Sequence, residues 1–92
     1  MKILFSKKAE NGLELILEHV IANFSFEQAQ SIRNEILDSI NKLSNFPDLG
    51  VKLANQADKR VLFVSGNAIV YQIVLTSEPY IVIRNIKPRK MK

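Results

Sequence analysis

The hydrophobic period of this chain changes once, near Arg60, and that change limits the folds open to it. Before it, apolar residues recur at steps of three and four, the period of a helix with one buried face. After it they alternate in twos, in short runs separated by turn residues, the mark of strands. A chain that is helical first and stranded second points to layers of unlike structure packed on one core.

The helical half divides at "FSFEQAQ". Upstream, Ala9, Leu13, Ile16, Leu17, Val20, Ile21 and Phe24 form one stripe, with Glu10, Glu14 and Glu18 on the other side. Ser6 stands where an N-cap is needed, and Gly12 weakens the first turns by about 1 kcal/mol relative to Ala. Ser25, followed three residues later by Gln28, is a capping-box pattern, with Phe24 and Ala29 spaced for a hydrophobic staple. Ala29, Ile32, Ile36, Ile40 and Leu43, with Leu37 beside them, give the second helix its buried face. That helix ends before "NFPDLG", because Pro47 disfavours helix at Phe46 and Gly50 permits a tight turn. So short a connection predicts an antiparallel helical hairpin.

The stranded half reads "RVLFV", a turn at "SGN", "AIVYQIVL", a turn at "TSEP", and "YIVIRNI". Short loops make these an antiparallel meander. "KILF" at the start is a further strand that joins the sheet, and "VKLANQAD" is expected to be irregular. The expected fold is therefore α+β, in the order β-α-α-β-β-β, with the hairpin on one face of a twisted antiparallel sheet. Along the last strand, strict alternation sends Tyr80, Val82, Arg84 and Ile86 to one face, and Ile81, Ile83 and Asn85 to the other. A lone charge rarely stays buried, so Arg84 marks the open face.

Composition excludes several classes. The 92 residues suit one domain over 1–92. The chain has no Cys, which removes disulfides and thiolate zinc sites. No apolar run reaches the roughly 18 residues that span a bilayer, and the start lacks a secretory signal. The expectation is a soluble, cytoplasmic protein without a membrane partner. His19 is the single His, sits mid-helix, and reads as a surface or half-buried helical residue. No Ser has a hydrolase motif around it, and the 3 Gly do not form a phosphate loop. No metal or other cofactor is expected.

Charge is the remaining signal. Residues 1–58 hold six Lys/Arg against eight Asp/Glu, whereas 59–92 hold seven against one. The positive field thus belongs to the last third: Lys59, Arg60, Arg84, Lys87, Arg89, Lys90 and Lys92, with Tyr71 and Tyr80 nearby. Such a set steers anionic partners. It can hold RNA while a 2′-hydroxyl attacks a phosphate, hold only a partner, or serve as a solvated tail.

The order of strand, helical hairpin, "NFPDLG", an Arg opening a strand, "IVYQI", and an apolar strand running into "NIKPR" resembles the RelE/ParE superfamily over almost the whole chain. The resemblance implies the fold above and a small basic toxin of a bacterial type II toxin–antitoxin pair, neutralised by a cognate antitoxin. Two activities divide that superfamily. RelE-like members cut mRNA on the ribosome with basic groups on the sheet and a C-terminal Tyr or His; ParE-like members poison DNA gyrase. Here Ala68 stands where RelE-like chains carry a catalytic Arg, Arg89 matches their second Arg, and the tail "KMK" has neither Tyr nor His. The longer hairpin and the position of Arg60 are more ParE-like. The resemblance thus implies a gyrase-directed toxin that is not an enzyme. Its target- or antitoxin-binding residues would be Tyr80, Arg84, Lys87, Arg89, Lys90 and Lys92. The alternative it leaves is a metal-independent, ribosome-dependent endoribonuclease using Arg60, Arg84, Lys87, Arg89 or Lys90. The assembly implied is a homodimer or a toxin–antitoxin hetero-oligomer.

Overall fold

The two helices form where their caps place them. In the computed structural model, which describes residues 1–89, β1 (Lys2–Phe5) leads into α1 (Lys7–Asn23) and α2 (Phe26–Lys42). Ser6 Oγ accepts from the Ala9 N–H at 3.0 Å, and Ser25 Oγ accepts from the Gln28 N–H at 2.9 Å. Each hydroxyl satisfies one of the orphan donors of a helix start. Phe24 is the C-cap of α1 and stays 74% exposed, while Ala29 is buried. The expected staple between them therefore buries little, because the chain turns Phe24 outward as it reverses.

Four strands follow: β2 (Val51–Leu53), β3 (Gln56–Val64), β4 (Asn67–Val74) and β5 (Tyr80–Pro88). The sheet order is β1-β5-β4-β3-β2. The meander is antiparallel as expected, and β1 joins it beside β5, running parallel, so the sheet is mixed. The stretch expected to be irregular holds one strand more than the sequence indicated. β2 pairs with β3 around a turn in which Asn55 adopts φ 67°. It is only three residues long (Val51, Lys52, Leu53) and at the sheet edge, too short for alternation to announce it. The β3–β4 turn places Ser65 and Gly66 both at positive φ, which suits the right-handed twist of a two-residue hairpin.

The core lies between the helices and one sheet face. Ala9, Ile16, Ile36, Ile40 and Leu43 come down from the helices onto Ile69, Tyr71, Ile81, Ile83 and Ile86. Fully burying each Ile contributes about 1.5–3 kcal/mol. Gly12 lets α1 settle directly on the backbone of β5 at Ile86.

One expectation about β5 is corrected. Ile86 does not share the open face with Arg84; it is 1% exposed and belongs to the core. The register explains this: Val70 pairs with Asn85, but the next residue, Tyr71, pairs with Ile83. Arg84 is the extra residue of a β-bulge, and one extra residue inverts the parity of everything after it. Asn85 and Lys87 accordingly lie opposite Val70 and Ala68, on the face away from the helices.

Candidate functional site

The face of the sheet turned away from the helices carries a shallow groove of about 1030 Å³. Lys59 of β3, Gln72 of β4, Arg84 and Lys87 of β5, and Lys8 from the first turn of α1 line it, together with Asp58, Asn85 and Ser6. Its floor includes Val70. Four cations from two strands and a helix thus meet one carboxylate. Among the described residues the ion pair between Arg60 and Asp48 involves none of these groups.

Arg84 is held at both ends. Ser6, just past the end of β1, takes the carbonyls of both Ile83 and Arg84. The Ser6 N–H donates to Ile83 O at 2.9 Å and the Ser6 hydroxyl to Arg84 O at 2.9 Å. At the other end, Arg84 Nε donates to Gln72 Oε1 at 2.9 Å, and Gln72 Nε2 donates to Asp58 Oδ2 at 2.6 Å. The chain Arg84–Gln72–Asp58 crosses three adjacent strands. It engages the Nε edge of the guanidinium, and among the described residues no other group bonds the two terminal nitrogens.

The other basic candidates separate. Arg60 is not brought to Arg84. It is the cross-strand partner of the buried Tyr71, whereas its neighbour Lys59 pairs with Gln72. Alternation along β3 therefore sends Arg60 to the opposite side. There its guanidinium donates to Gly50 O at 2.7 Å and Asp48 O at 3.4 Å, and lies 3.3 Å from Asp48 Oδ1. Arg89 sits at the far end of the sheet, with its guanidinium 4.3 Å from the centre of the Phe63 ring and its N–H bonded to Gly66 O. Tyr80 pairs with Val74 and Lys2, away from the groove lining. Ala68 is 6% exposed beside Phe63 and Lys87. Lys90 and Lys92 lie outside the described residues.

Chemically, the lining of the groove is suited to negative charge. Tyr71 cannot serve it from the core, where its hydroxyl donates to Pro47 O at 2.7 Å and accepts from the Gly50 N–H at 2.8 Å. His19 is on the outer side of α1, beside Asn23, and lines a second, apolar groove. Among the described residues no cluster of His, Cys, Asp and Glu is arranged to hold a metal. Among the described residues no helix is long and apolar enough to cross a membrane. Sequence reasoning missed Lys8, Gln72, Asp58 and the double role of Ser6. The signal for Gln72 was its place one residue after Tyr71 on the outward parity of β4; Lys8 gave none, since only the packing of α1 on β5 brings it there.

The split between Arg60 and Arg84 has a measurable consequence. Arg60→Met removes partners from Gly50 O and Asp48 and should lower stability by about 1–3 kcal/mol. Arg84→Ala, exposed and bonded mainly to a side chain, should change stability by no more than about 0.5 kcal/mol. Urea unfolding of the two variants checks both values.

The chain matches, over residues 3–92, the family model described as the ParE toxin of the type II toxin–antitoxin system parDE. No curated protein matches it significantly. Among solved structures it resembles a chain of the chromosomal ParDE toxin–antitoxin system from P. aeruginosa, with a TM-score of 0.79 and 17% identity, covering 98% of this chain and 97% of that one. It also resembles the YoeB/ParE toxin from Agrobacterium tumefaciens, with a TM-score of 0.68 and 14% identity, covering 98% and 100%.

Proposed function

The chain belongs to the family of ParE toxins of type II toxin–antitoxin systems, and on that premise we propose that it arrests growth in the cytoplasm by docking on DNA gyrase through the basic outer face of its sheet. A cognate antitoxin neutralises it by covering the same cations. One observation carries the choice of a binding toxin over a nuclease: among the described residues the groove gathers Lys8, Lys59, Arg84 and Lys87 around no imidazole or phenol. Cleavage of a phosphodiester needs a group that moves protons as well as groups that hold charge. Tyr71 is turned into the core, and His19 lines the adjoining apolar groove, which shares Lys8, Asn85 and Lys87 with the basic one, but not the basic groove itself. The lining supplies charge and hydrogen bonds, which suffice to dock.

Induction without antitoxin, followed by pulses of labelled thymidine and methionine, tests this reading. Thymidine incorporation is expected to fall first, and the purified chain should inhibit supercoiling by gyrase. Arg84→Glu combined with Arg89→Glu should abolish the arrest at equal expression. Prior loss of methionine incorporation, with defined mRNA breaks, would replace the gyrase reading with that of a ribosome-dependent endoribonuclease.

A further inference from the structure

An exposed arginine is ordinarily a mobile one, and ordering such a side chain costs rotamer entropy. Arg84 is exposed yet already ordered: Ser6 fixes its backbone, and the Gln72–Asp58 chain fixes its guanidinium. The β-bulge at Arg84 also interrupts the pairing of β5 with β4, the middle strand of the sheet. Bulges re-aim side chains near functional sites, and preorganised donors bind with less loss on association. Lys87 of the same strand, Lys59 of β3 and Lys8 of α1 line the groove with the aimed group. A single carboxylate on a peptide would engage one such cation. A row of anions along a backbone would engage several.

We infer that Arg84, aimed by Gln72 and Asp58, is a receptor for a phosphate of duplex DNA, with Lys8, Lys59 and Lys87 on neighbouring phosphates. The choice of duplex DNA rests on the gyrase reading above, and it assigns the outer groove to the nucleic acid of that target. Gln72 and Asp58 are positioning residues here; Arg84 makes the contact. A planar guanidinium with two free nitrogens suits bidentate phosphate recognition, and point-charge ammonium groups suit the flanks.

The test is fluorescence anisotropy of a labelled duplex of about 20 base pairs, titrated with the purified full chain between about 50 and 200 mM salt, without gyrase. Four neutralised phosphates predict a slope of log affinity on log salt of about −3 to −4. Arg84→Ala should weaken binding about tenfold and make the slope shallower by about 1. Gln72→Met changes no charge; it should weaken binding about threefold at an unchanged slope, a signature that loss of a cation does not produce. Thermal melts confirm that both variants fold. Duplex affinity that moves less than twofold in Arg84→Ala overturns the assignment. So does a single-stranded RNA of equal length that binds about tenfold tighter, or a polyglutamate of equal charge that competes equally well. Because gyrase is absent, a failure of the supercoiling assay and a failure of this assignment are seen separately.

Discussion

Gly12→Ala is expected to destabilise the protein by about 3 kcal/mol, although the same change in an exposed helix stabilises by about 1 kcal/mol. Two effects compete. Alanine lowers the entropy lost on forming α1. Its Cβ, however, would lie well inside van der Waals contact with the Ile86 carbonyl oxygen and 3.1 Å from the carbonyl carbon. Both atoms are backbone, so no rotamer change relieves the clash, and α1 must lift from β5. That motion opens the packing of α1 on β5, where Ala9 and Ile16 share one core cluster with Ile83 and Ile86. Overpacking of this kind exceeds the propensity gain. For a chain of this size the melting temperature should fall by roughly 12–24 °C. Thermal denaturation followed by circular dichroism measures it; a rise in Tm would mean that α1 does not sit on β5 as described.

Tyr71→Phe should cost about 2–3 kcal/mol, because it strands two backbone groups at once. The phenol oxygen accepts from the Gly50 N–H and donates to Pro47 O, so one hydroxyl closes the 47–50 loop against the sheet. Gly50 is required beside it, since a Cβ there would lie 2.8 Å from both the Tyr71 ring edge and its hydroxyl. Arg60 holds the same loop through Gly50 O and Asp48. Tyr71→Phe and Arg60→Met should therefore be non-additive in a double-mutant cycle.

The phenol also brings a pH dependence. Burial pushes the Tyr71 pKa above its ordinary 10.0, against the opposing pulls of the Gly50 N–H and the Arg60 charge, with Asp48 adding to the rise. The folded state thus keeps a proton that the unfolded chain releases. Its contribution is fully present below pH 10 and declines as pH rises from there towards the folded pKa. Urea unfolding between about pH 9 and 11 should show a steeper decline for the parent than for Tyr71→Phe.

Much of this was legible beforehand, for a local reason. Ser6 and Ser25 announce helix starts because a hydroxyl meets an orphan amide two or three residues away. Ala9, Ile16, Ile36 and Ile40 announce the buried faces because helical geometry repeats within each turn. The three long strands follow from alternation, and their antiparallel order follows from turns too short for a crossover. The basic character of the last third is a matter of composition. In each case the determining interaction lies within a few residues of the signal.

Only tertiary structure decided where the charges go. Alternation predicts a face for each residue of β5 as long as pairing is regular, and the bulge at Arg84 ends that regularity. The strand partner and the two bonds from Ser6 set the bulge, and they come from 78 residues away in the case of the hydroxyl. The same long-range pairing sends Arg60 behind the sheet, although it is as basic as Arg84, and brings Lys8 forward from a helix to join Lys59 and Lys87. Composition determined that this protein would be basic at one end. The register between β4 and β5 decided which of those cations share a groove, because a single inserted residue reverses which side of a sheet a side chain meets.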